Sequence, residues 1–563
     1  MKQLIECVPN ISEGQNPDII KQVTNVIETV DGVKLLDVDP GKATNRTVIT
    51  FVGEPQPVID AAYLVIQKAA EVIDMSKHKG EHPRFGATDV CPLVPIANIS
   101  MDETVEWAHK LAERVGNDLN IPVYCYENAA REEKRRNLAN NRSGEYEGLA
   151  KKLVDPDWRP DFGPAEFNDR VKGSGATAIS ARDFLVAYNI NLNTTSTRRA
   201  NAIAFDIREA GRIKTENGKV GGKKVLDENG EPVRVPGKLK AVKGIGWFIE
   251  EYGIAQISYN LTNISITSVH EAFDETVKAA TERGIRVTGS ELVGLIPKQA
   301  MLDAADYFLS KQGRSLGIHE SEKIKIAVKS LGLDDLKPFD PNKSVIEYVM
   351  ANKDEKRLID MDLVAFADET ASESPAPGGG SISAYVGALG VSLGGMVANL
   401  SAHKRGWDDR WEEYSQWAVK AQNIKDKMLY FVDEDTNSFN KVMDAFRLPK
   451  GSDAEKAARK DAINKATKYA IDTPLAVMKT AYESMDIMNE MSKIGLEASI
   501  SDAGVGAMCA LTAIRGAGLN VKINCSGFED KEFVEDRLNQ ASEIIAKARV
   551  LEAEIVERAE SKL

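Results

Sequence analysis

The stretch DFLVAYNINL, residues 183–192, decides the fold of the first half of the chain. Its apolar residues alternate with small or polar ones from Val186 to Leu192, which predicts a half-buried β-strand. A helical pattern, two strand patterns, a second helical pattern and a last strand follow it at residues 195–211, 242–251, 253–263, 269–284 and 288–297. This β-α-β-β-α-β order is that of a split β-α-β unit.

The same order occurs once before, upstream of residue 178. Strand patterns lie at 3–9, 33–39, 45–53 and 89–96, helical patterns at 17–30 and 57–74, and a further helix and strand at 102–119 and 121–127. We therefore predict an α+β N-terminal half of two ferredoxin-like subdomains, 1–178 and 179–334. Within the second, residues 214–238 are rich in glycine and charge without apolar periodicity, which predicts a mobile flap or hairpin on the surface.

The pattern changes after about residue 360. Long segments there have a helical period, strand signals are almost absent, and Pro449 and Pro474 are the only prolines beyond Pro377. We predict an all-α helical-bundle domain at 356–563, joined by a linker at 335–355 that combines prolines with a charge run. The apolar run 382–400 is long enough to resemble a membrane span, but its glycine, serine and alanine content favours a buried helix.

Composition excludes some classes of function. The net charge of -13 argues against nucleic acid as a partner, because phosphate binding needs an excess of basic residues. The five cysteines show no CxxC spacing, so neither a disulfide framework nor a thiolate zinc site is expected. The N-terminus reaches Pro9 too early to form the apolar region of a signal peptide. We expect a cytoplasmic protein.

Two of the six histidines, His78 and His82, lie in the run SKHKGEHPRFGATDV at 76–90. A helix that would point both rings at one metal ion is not expected, since Gly80 separates them and Pro83 follows. They are therefore a proton-transfer pair or incidental loop residues, and metal ligation is the weaker alternative because no third ligand has the expected spacing. Neighbouring cations favour a neutral imidazole that can act as a base and are suited to hold a substrate carboxylate.

The glycine run APGGGSIS at 376–383 precedes an apolar helix. Free amides of Gly379, Gly380 and Ser381 would face an anion at the N-terminus of that helix. A phosphate loop of a small-molecule kinase is an alternative, although no alternating strand pattern surrounds the run. A helix cap with small-residue packing is another.

Asp435 interrupts an apolar stripe formed by Val432, Phe439, Val442 and Phe446 at helical spacing. A carboxylate in such a stripe loses hydration, which raises its pKa toward a range useful for acid-base chemistry. Asp433 falls on the more polar side of the same helix. The alternative for Asp435 is a buried polar residue that sets helix register. Asp502 could serve equally well as a helix N-cap.

Several runs resemble one known family. The runs ECVPNISEG (6–14), LLDVDPG (35–41), NRTVITFVG (45–53), HKGEHPRFGATDVCPLVP (78–95), GEYEGL (144–149), RPDFGP (159–164) and GSELVGLIP (289–297) are similar to the glutamate formimidoyltransferase domain of the bifunctional formimidoyltransferase-cyclodeaminase family. The runs SPAPGGGSISA (374–384), RLPK (447–450), SDAGVGA (501–507) and GAGLNVKIN (516–524) resemble its cyclodeaminase domain.

The resemblance implies a transferase and an ammonia-lyase of histidine degradation. The first activity would move the formimino group of N-formimino-L-glutamate to N5 of tetrahydrofolate, expected in polyglutamylated form. The second would cyclise 5-formimidoyltetrahydrofolate to 5,10-methenyltetrahydrofolate and release ammonia. The family also implies a homo-oligomer, an octamer in the family's case, and no metal, nucleic acid or membrane span is expected. A helical oligomerisation scaffold is the alternative for the C-terminal part.

The resemblance also implies site residues. The transferase base would be His82, and His78 would have a supporting role. Folate contacts would lie in 163–175, which is a few residues longer than usual, at Gly163, Pro164, Phe167, Gly173 and Gly175. Folate carboxylates or the pterin would bind at Gly379, Gly380 and Ser381. The cyclodeaminase aspartate would be Asp433 or Asp435, and periodicity favours Asp435.

Overall fold

The computed structural model describes residues 3–41, 45–79, 84–217, 222–351 and 357–563. The chain forms two compact units. The first, which we call the sheet unit, comprises Met1–Ala300 and Leu331–Ala351. The second, the helical unit, comprises Met301–Ser330 and Asn352–Leu563.

The N-terminal part of the sheet unit is a seven-stranded sheet. Its strands are β1 (Leu4–Cys7), β2 (Asn10–Ile11), β3 (Val33–Gly41), β4 (Arg46–Gly53), β5 (Thr88–Ala97), β6 (Val123–Glu127) and β7 (Thr177–Ala181). Strands β1 and β2 follow one another between β4 and β5, with Pro9 in the gap between them. Strand β3 extends the sheet beyond β4, and β7 and β6 extend it beyond β5 as parallel strands. The core order is therefore the ferredoxin-like one, with two added strands.

Helices cover this sheet. They are α1 (Pro17–Asn25), α2 (Pro55–Val72), α3 (Met101–Leu119), α4 (Glu133–Arg136), α5 (Leu138–Arg142), α6 (Glu145–Val154) and α7 (Asp169–Ser174). Buried apolar residues of α2 and α3 form one cluster with residues of the sheet such as Ile5, Phe51 and Leu93. A smaller cluster joins Phe85, Tyr124, Leu149 and Val171. Both clusters remove apolar area from water, and the smaller one fixes α6 and α7 near the histidine run.

The second part of the sheet unit repeats the pattern. It contains β8 (Val186–Leu192), α8 (Thr197–Ile207), β9 (Arg212–Ile213), β10 (Arg234–Val235), β11 (Val242–Ile249), β12 (Ile254–Leu261), α9 (Val269–Thr281) and β13 (Val287–Val293). The four longer strands form an antiparallel sheet in the order β11-β12-β8-β13. The predicted fold class, two ferredoxin-like subdomains followed by helices, is confirmed. In the insertion, β9 and β10 pair as a short antiparallel ribbon.

The rest of the chain is helical. The helices are α10 (Lys298–Lys311), α11 (Glu320–Leu331), α12 (Pro341–Ser344), α13 (Ile346–Met350), α14 (Leu363–Thr370), α15 (Gly379–Ala402), α16 (Trp411–Arg447), α17 (Asp453–Ile494), α18 (Ile500–Cys525) and α19 (Lys531–Glu560). Within 357–563 the structure contains no strand. The long helices α15 to α19 share one buried core that includes Val391, Met428, Met478 and Ile514.

The division of the chain differs from the predicted domains at 301–330 and 335–355. The loop between α10 and α11 packs into the helical unit. The backbone N–H of Leu316 donates to Ser415 Oγ at 2.9 Å, and Asn399 donates to the carbonyl of Gly317 at 2.9 Å. A side chain at Gly317 would overlap Ala418. Residues 331–351 belong to the sheet unit. The prediction assigned those from 335 onward to a linker, but they include the short helices α12 and α13.

Two helices are long and apolar enough to cross a membrane, Gly379–Ala402 and a stretch from Glu497 to Cys525 that includes α18. Half or more of each lies buried among other helices. Because the core helix of a helical bundle passes the same test, this length and apolarity are weak evidence for a membrane span.

Gly116 provides a test of how closely the sheet unit is packed. A Cβ atom there would lie 2.6 Å from the backbone nitrogen of Gly163 and 2.6 Å from Cβ of Phe162. We predict that Gly116→Ala destabilises the sheet unit by roughly 1–3 kcal/mol, since α3 must move away from this turn. Thermal unfolding followed by near-UV circular dichroism measures the change. Gly148→Ala in α6 is the control, because no atom lies within 4 Å of its Cβ position; equal losses in both variants would contradict the packing argument.

Two candidate active sites

The histidine run lies in the sheet unit between α2 and β5. Residues 80–83 are outside the described residues, and the predicted base His82 is among them. Both flanks of this segment are described. Met75 donates its N–H to the carbonyl of Gly173 at 2.8 Å, and Ala87 donates to Ser174 at 2.7 Å. The flanks are therefore fixed to the segment 163–175, the predicted folate-binding segment.

Glycines shape the segment 163–175. Gly163 and Gly175 have φ angles of 82° and 64°, a left-handed region that glycine adopts without strain. A side chain at Gly175 would overlap the carbonyl of Phe85, so Gly175 also permits the close approach of the two chains. Among the described residues, no atom lies within 4 Å of a Cβ position at Gly173.

Phe167 gives the segment an exposed aromatic ring, whose centre lies 6.1 Å from that of Tyr146. The hydroxyl of Tyr146 donates to the carbonyl of Lys172 at 2.6 Å. Pro164 lies half-buried beside Gly163. A folate ring can stack on such an aromatic surface, and the folate contacts assigned to Gly163, Pro164, Phe167, Gly173 and Gly175 stay predictions.

His78 is part of a hydrogen-bonded network. Nε of Arg84 donates to Nδ1 of His78 at 3.3 Å, and Nε2 of His78 lies 3.0 Å from the carbonyl of Asn45. Nδ1 therefore accepts from Arg84, and Nε2 is placed to donate to the carbonyl of Asn45. Asn45 also donates to the carbonyl of Lys79 at 2.9 Å. His78 therefore fastens the start of the run.

The charges of two cations near this run are already paired. Arg84 is buried and forms ion pairs with Glu147 at 2.8 Å and Glu145 at 3.2 Å. Lys77 pairs with Asp74 at 2.8 Å. Substrate binding by these two cations stays a prediction, and it requires that each exchange its carboxylate partner for the substrate. A cavity of about 480 Å³ opens beside Lys79, Arg84 and Glu147.

Sequence analysis missed Asp89 as a support of this site. Its buried carboxylate accepts the N–H of Phe85 at 3.0 Å and forms an ion pair with Arg142. Burial raises the pKa of Asp89, and the nearby Arg142 opposes that rise. Asp89 thus holds the backbone two residues after Pro83. Its sequence signal is a lone acidic residue at the start of an otherwise apolar strand.

The second candidate site lies in the helical unit, where α16 passes the N-terminus of α15. The carboxylate of Asp435 lies against the backbone of Gly380 and accepts the N–H of Ser381. A side chain at position 380 would overlap the carboxylate. Burial raises the pKa of Asp435, and the hydrogen bond from Ser381 only partly offsets this. The glycine run therefore holds the carboxylate of Asp435 in a fixed position.

The anion predicted at the glycine run is thus, in part, a carboxylate of the protein itself. Asp435 takes the Ser381 N–H, and the buried hydroxyl of Ser381 donates to the carbonyl of Val432 at 2.7 Å. The elements described on either side of the run are helices, α14 and α15. Folate binding by Gly379, Gly380 and Ser381 stays a prediction.

The structure separates the two aspartates that sequence analysis left open. Asp433 accepts the backbone N–H of Leu358 at 2.6 Å and so holds the turn at 358–360 against α16. Burial raises the pKa of Asp433, against the hydrogen bonds it accepts from Leu358 and Ile359. Asp433 points to this turn, and Asp435 points to the glycine run.

Two details of the sequence interpretation are wrong. The apolar stripe beyond Asp435 does not face the core: Phe439 and Phe446 are 55% and 49% exposed. The start of α15, rather than such a stripe, therefore surrounds the carboxylate. Asp502 lies within the first turn of α18, whose N-cap is Ser499, so Asp502 is not the N-cap.

Asn520 is another residue that sequence analysis did not single out. It lies on α18 with its amide nitrogen 3.6 Å from the position of a Cβ atom at Gly379. Gly379 directly precedes Gly380, so Asn520 and Asp435 approach consecutive residues of α15. The sequence GAGLN does not indicate that Asn520 lies beside Gly379, because that contact joins two helices that are distant in the chain. Among the described residues, no group of three or more His, Cys, Asp or Glu side chains is placed to hold a metal ion.

Comparisons with known proteins cover both sites. Family models match three consecutive parts of the chain: the N-terminal subdomain of the formiminotransferase domain at 4–182, the formiminotransferase domain at 187–351, and formiminotransferase-cyclodeaminase at 362–543. The first includes the histidine run and the 163–175 segment. The third includes the glycine run, Asp435 and Asn520.

Curated relatives show the same division. The chain is 41% identical over 550 residues to a formimidoyltransferase-cyclodeaminase of Gallus gallus, covering 98% of this chain and 97% of the relative. It is 40% identical over 310 residues to a glutamate formimidoyltransferase of Streptococcus pyogenes, covering 55% of this chain and 94% of the relative. It is 36% identical over 198 residues to a methenyltetrahydrofolate cyclohydrolase of Methylorubrum extorquens, covering 35% of this chain and 95% of the relative. The chain belongs to the formimidoyltransferase-cyclodeaminase family.

Proposed function

We propose that the chain is a bifunctional folate enzyme that acts in histidine degradation in the cytoplasm. Its transferase moves the formimino group from N-formimino-L-glutamate to N5 of tetrahydrofolate. Its cyclodeaminase closes 5-formimidoyltetrahydrofolate to 5,10-methenyltetrahydrofolate and releases ammonia. The observation that carries the proposal is the match along the whole chain, with a separate half-buried acid-base candidate, Asp435, in the third matched part.

In the transfer step N5 of the folate attacks the amidine carbon of the donor. N5 then carries a proton that must leave, and a neutral imidazole is a suitable acceptor. We assign this role to His82. The described flanks support it, because His78, Arg84 and Asp89 hold the two ends of the run by hydrogen bonds and ion pairs. Such support keeps a base at a constant distance from its substrate.

In the cyclisation step N10 attacks the amidine carbon and the former imino nitrogen leaves as ammonia. The proton lost by N10 balances the proton gained by the leaving nitrogen. One group can carry it, and we assign Asp435, whose raised pKa makes its ionised form a stronger base than an ordinary carboxylate. Phe439, one helical turn further along α16, offers an exposed aromatic ring to the folate.

The direct experiment supplies the protein with N-formimino-L-glutamate and tetrahydrofolate. The formation of methenyl-folate absorbance together with free ammonia, in equal amounts, is the expected result. Neither product would be formed by a small-molecule kinase. A helical scaffold without activity would give 5-formimidoyltetrahydrofolate but no ammonia.

We predict that His82→Ala lowers formimino transfer by roughly 10²- to 10⁴-fold, the usual contribution of a positioned acid-base group. Cyclisation of supplied 5-formimidoyltetrahydrofolate should remain normal, because Asp435 lies in the other unit. Transfer is measured as glutamate release. The control is His109→Gln, since His109 hydrogen-bonds the carbonyl of Ala129 through Nε2, away from the run. Near-normal transfer by His82→Ala would exclude His82 as the base.

We predict that Asp435→Asn lowers cyclisation by roughly 10²- to 10⁴-fold while transfer persists, so 5-formimidoyltetrahydrofolate accumulates. Asp433→Asn is the matched control and should reduce thermal stability more than the rate of ammonia release. In the wild type, a raised pKa of Asp435 means that the base is protonated as the pH falls through that pKa. The rate should therefore decline at a higher pH than the ordinary aspartate value of 3.8 allows. Reversed severities of the two variants would show that Asp433 is the base.

We further propose that the chain forms a homo-oligomer through the helical unit. Helices α15 and α18 carry apolar side chains that are 39–48% exposed: Leu389, Met396, Leu400, Val505 and Met508. The two helices cross closely at Gly390 and Gly506, which brings these side chains together. A contiguous apolar patch of this kind is typical of a protein interface.

We predict that Met508→Glu shifts the protein from a multiple of the 61.6 kDa chain toward the monomer, because a buried unpaired charge is costly. Light scattering after size exclusion measures the mass. Val550→Glu on α19, where the native side chain is 61% exposed, is the control. An unchanged mass for Met508→Glu would place the interface elsewhere.

A further inference from the structure

Asn520 of α18 lies beside Gly379, the first residue of α15. Its amide nitrogen donates to the carbonyl of Gly516 at 3.0 Å, one turn back on α18. That bond fixes which end of the amide is the donor, so Oδ1 is the free acceptor. No hydrogen bond from a described residue reaches Oδ1.

The contact between α15 and α18 holds Asn520 in this place. The hydroxyl of Ser383 donates to the carbonyl of Gly379 at 2.6 Å and lies against Gly516, where any side chain would overlap it. The first turn of α15 and the turn of α18 that carries Asn520 therefore interlock. Asn520 is half-buried, so substrate can still reach it.

Asn520 and Asp435 approach neighbouring positions on the same turn. The Asn520 amide lies beside Gly379, and the Asp435 carboxylate lies against Gly380. Consecutive Cα atoms are roughly 3.8 Å apart. A small cationic group above this turn would therefore meet a carboxylate on one side and a neutral carbonyl acceptor on the other.

We propose that Oδ1 of Asn520 binds the N–H groups of the amidine nitrogen that leaves as ammonia, an inference that rests on the proposed cyclodeaminase function. In the protonated amidine this nitrogen carries positive charge and only hydrogen-bond donors. As the bond from N10 to carbon forms, Asp435 takes the N10 proton. As the bond from carbon to the amidine nitrogen breaks, that proton passes to the leaving nitrogen, which departs as ammonia. Asn520 accepts hydrogen bonds throughout and exchanges no proton.

An amide is better suited than a second carboxylic acid to accept hydrogen bonds from the amidine beside Asp435. Two carboxylates close together titrate as a pair, and one of them acquires a raised pKa. A neutral acceptor orients the amidine without changing the protonation of Asp435. Its orientation is fixed before substrate arrives, which lowers the entropy lost on binding.

The test compares three variants of the full chain with 5-formimidoyltetrahydrofolate as substrate. Asn520→Leu removes the acceptor at nearly constant size and should lower kcat for ammonia release by roughly 10- to 100-fold, the usual value of a hydrogen bond to a charged group. Asn520→Asp keeps an acceptor oxygen but adds a carboxylate. It should retain more activity than Asn520→Leu near neutral pH, and the acid limb of its pH profile should move to higher pH.

Asn524→Leu is the matched control. Asn524 lies one turn further along α18, and its amide donates to the carbonyl of Ala470 at 2.7 Å, away from Gly379. This variant should lower the unfolding temperature and leave kcat per folded molecule unchanged. Equal losses of kcat in Asn520→Leu and Asn524→Leu would overturn the proposal, because a structural role predicts that result.

The outcomes separate the proposal from the function on which it rests. A wild-type protein that releases no ammonia contradicts the cyclodeaminase function. A wild type that cyclises, with an Asn520→Leu variant at more than half its kcat, overturns only the assignment of Asn520. If Asn520→Leu does not fold, the pH profile of Asn520→Asp decides, and an unmoved acid limb overturns the assignment.

Discussion

The carboxylate of Asp435 lies against the backbone of Gly380, and this contact is possible only because position 380 has no side chain. It places a negative charge at the start of α15, where free N–H groups favour an anion. Burial nevertheless raises the pKa, so the loss of hydration outweighs the hydrogen bond from Ser381. The site therefore combines a fixed position with a carboxylate that is more basic than an ordinary aspartate.

Close backbone approach also organises the sheet unit. Gly175 meets the chain at Phe85 and Gly86, and Gly163 meets α3 at Gly116. These contacts connect the segment 163–175 with the end of the histidine run on one side and with the sheet-covering helices on the other. In the helical unit a glycine likewise makes room, at position 380, for the carboxylate of Asp435.

Periodicity in the sequence was sufficient to predict the two ferredoxin-like subdomains and the helical bundle, because alternation and helical spacing follow directly from which face is buried. Periodicity did not predict that residues 301–330 belong to the helical unit. The α10–α11 loop packs on α15 and α16 through Gly317, Ser415 and Asn399, and no local pattern indicates which unit such a loop will join. For the same reason, a local sequence pattern does not show which of Asp433 and Asp435 faces the glycine run. Asp435 was favoured because of an apolar stripe that is in fact exposed at Phe439, whereas what distinguishes it from Asp433 is a contact with a helix 55 residues earlier in the chain.

The two sites also differ in how their charges are arranged, and the difference follows the chemistry proposed for each. Around the histidine run Arg84 forms ion pairs with Glu145 and Glu147, and Asp89 forms one with Arg142. A base that must accept a proton from an attacking amine benefits from such a setting, since a nearby uncompensated cation would lower its basicity. Besides burial, the influence on the pKa of Asp435 among the described residues is the backbone N–H of Ser381, a group that does not titrate near neutral pH. A carboxylate that must both take and return one proton needs that isolation, because a second titrating group beside it would share the proton and retain it.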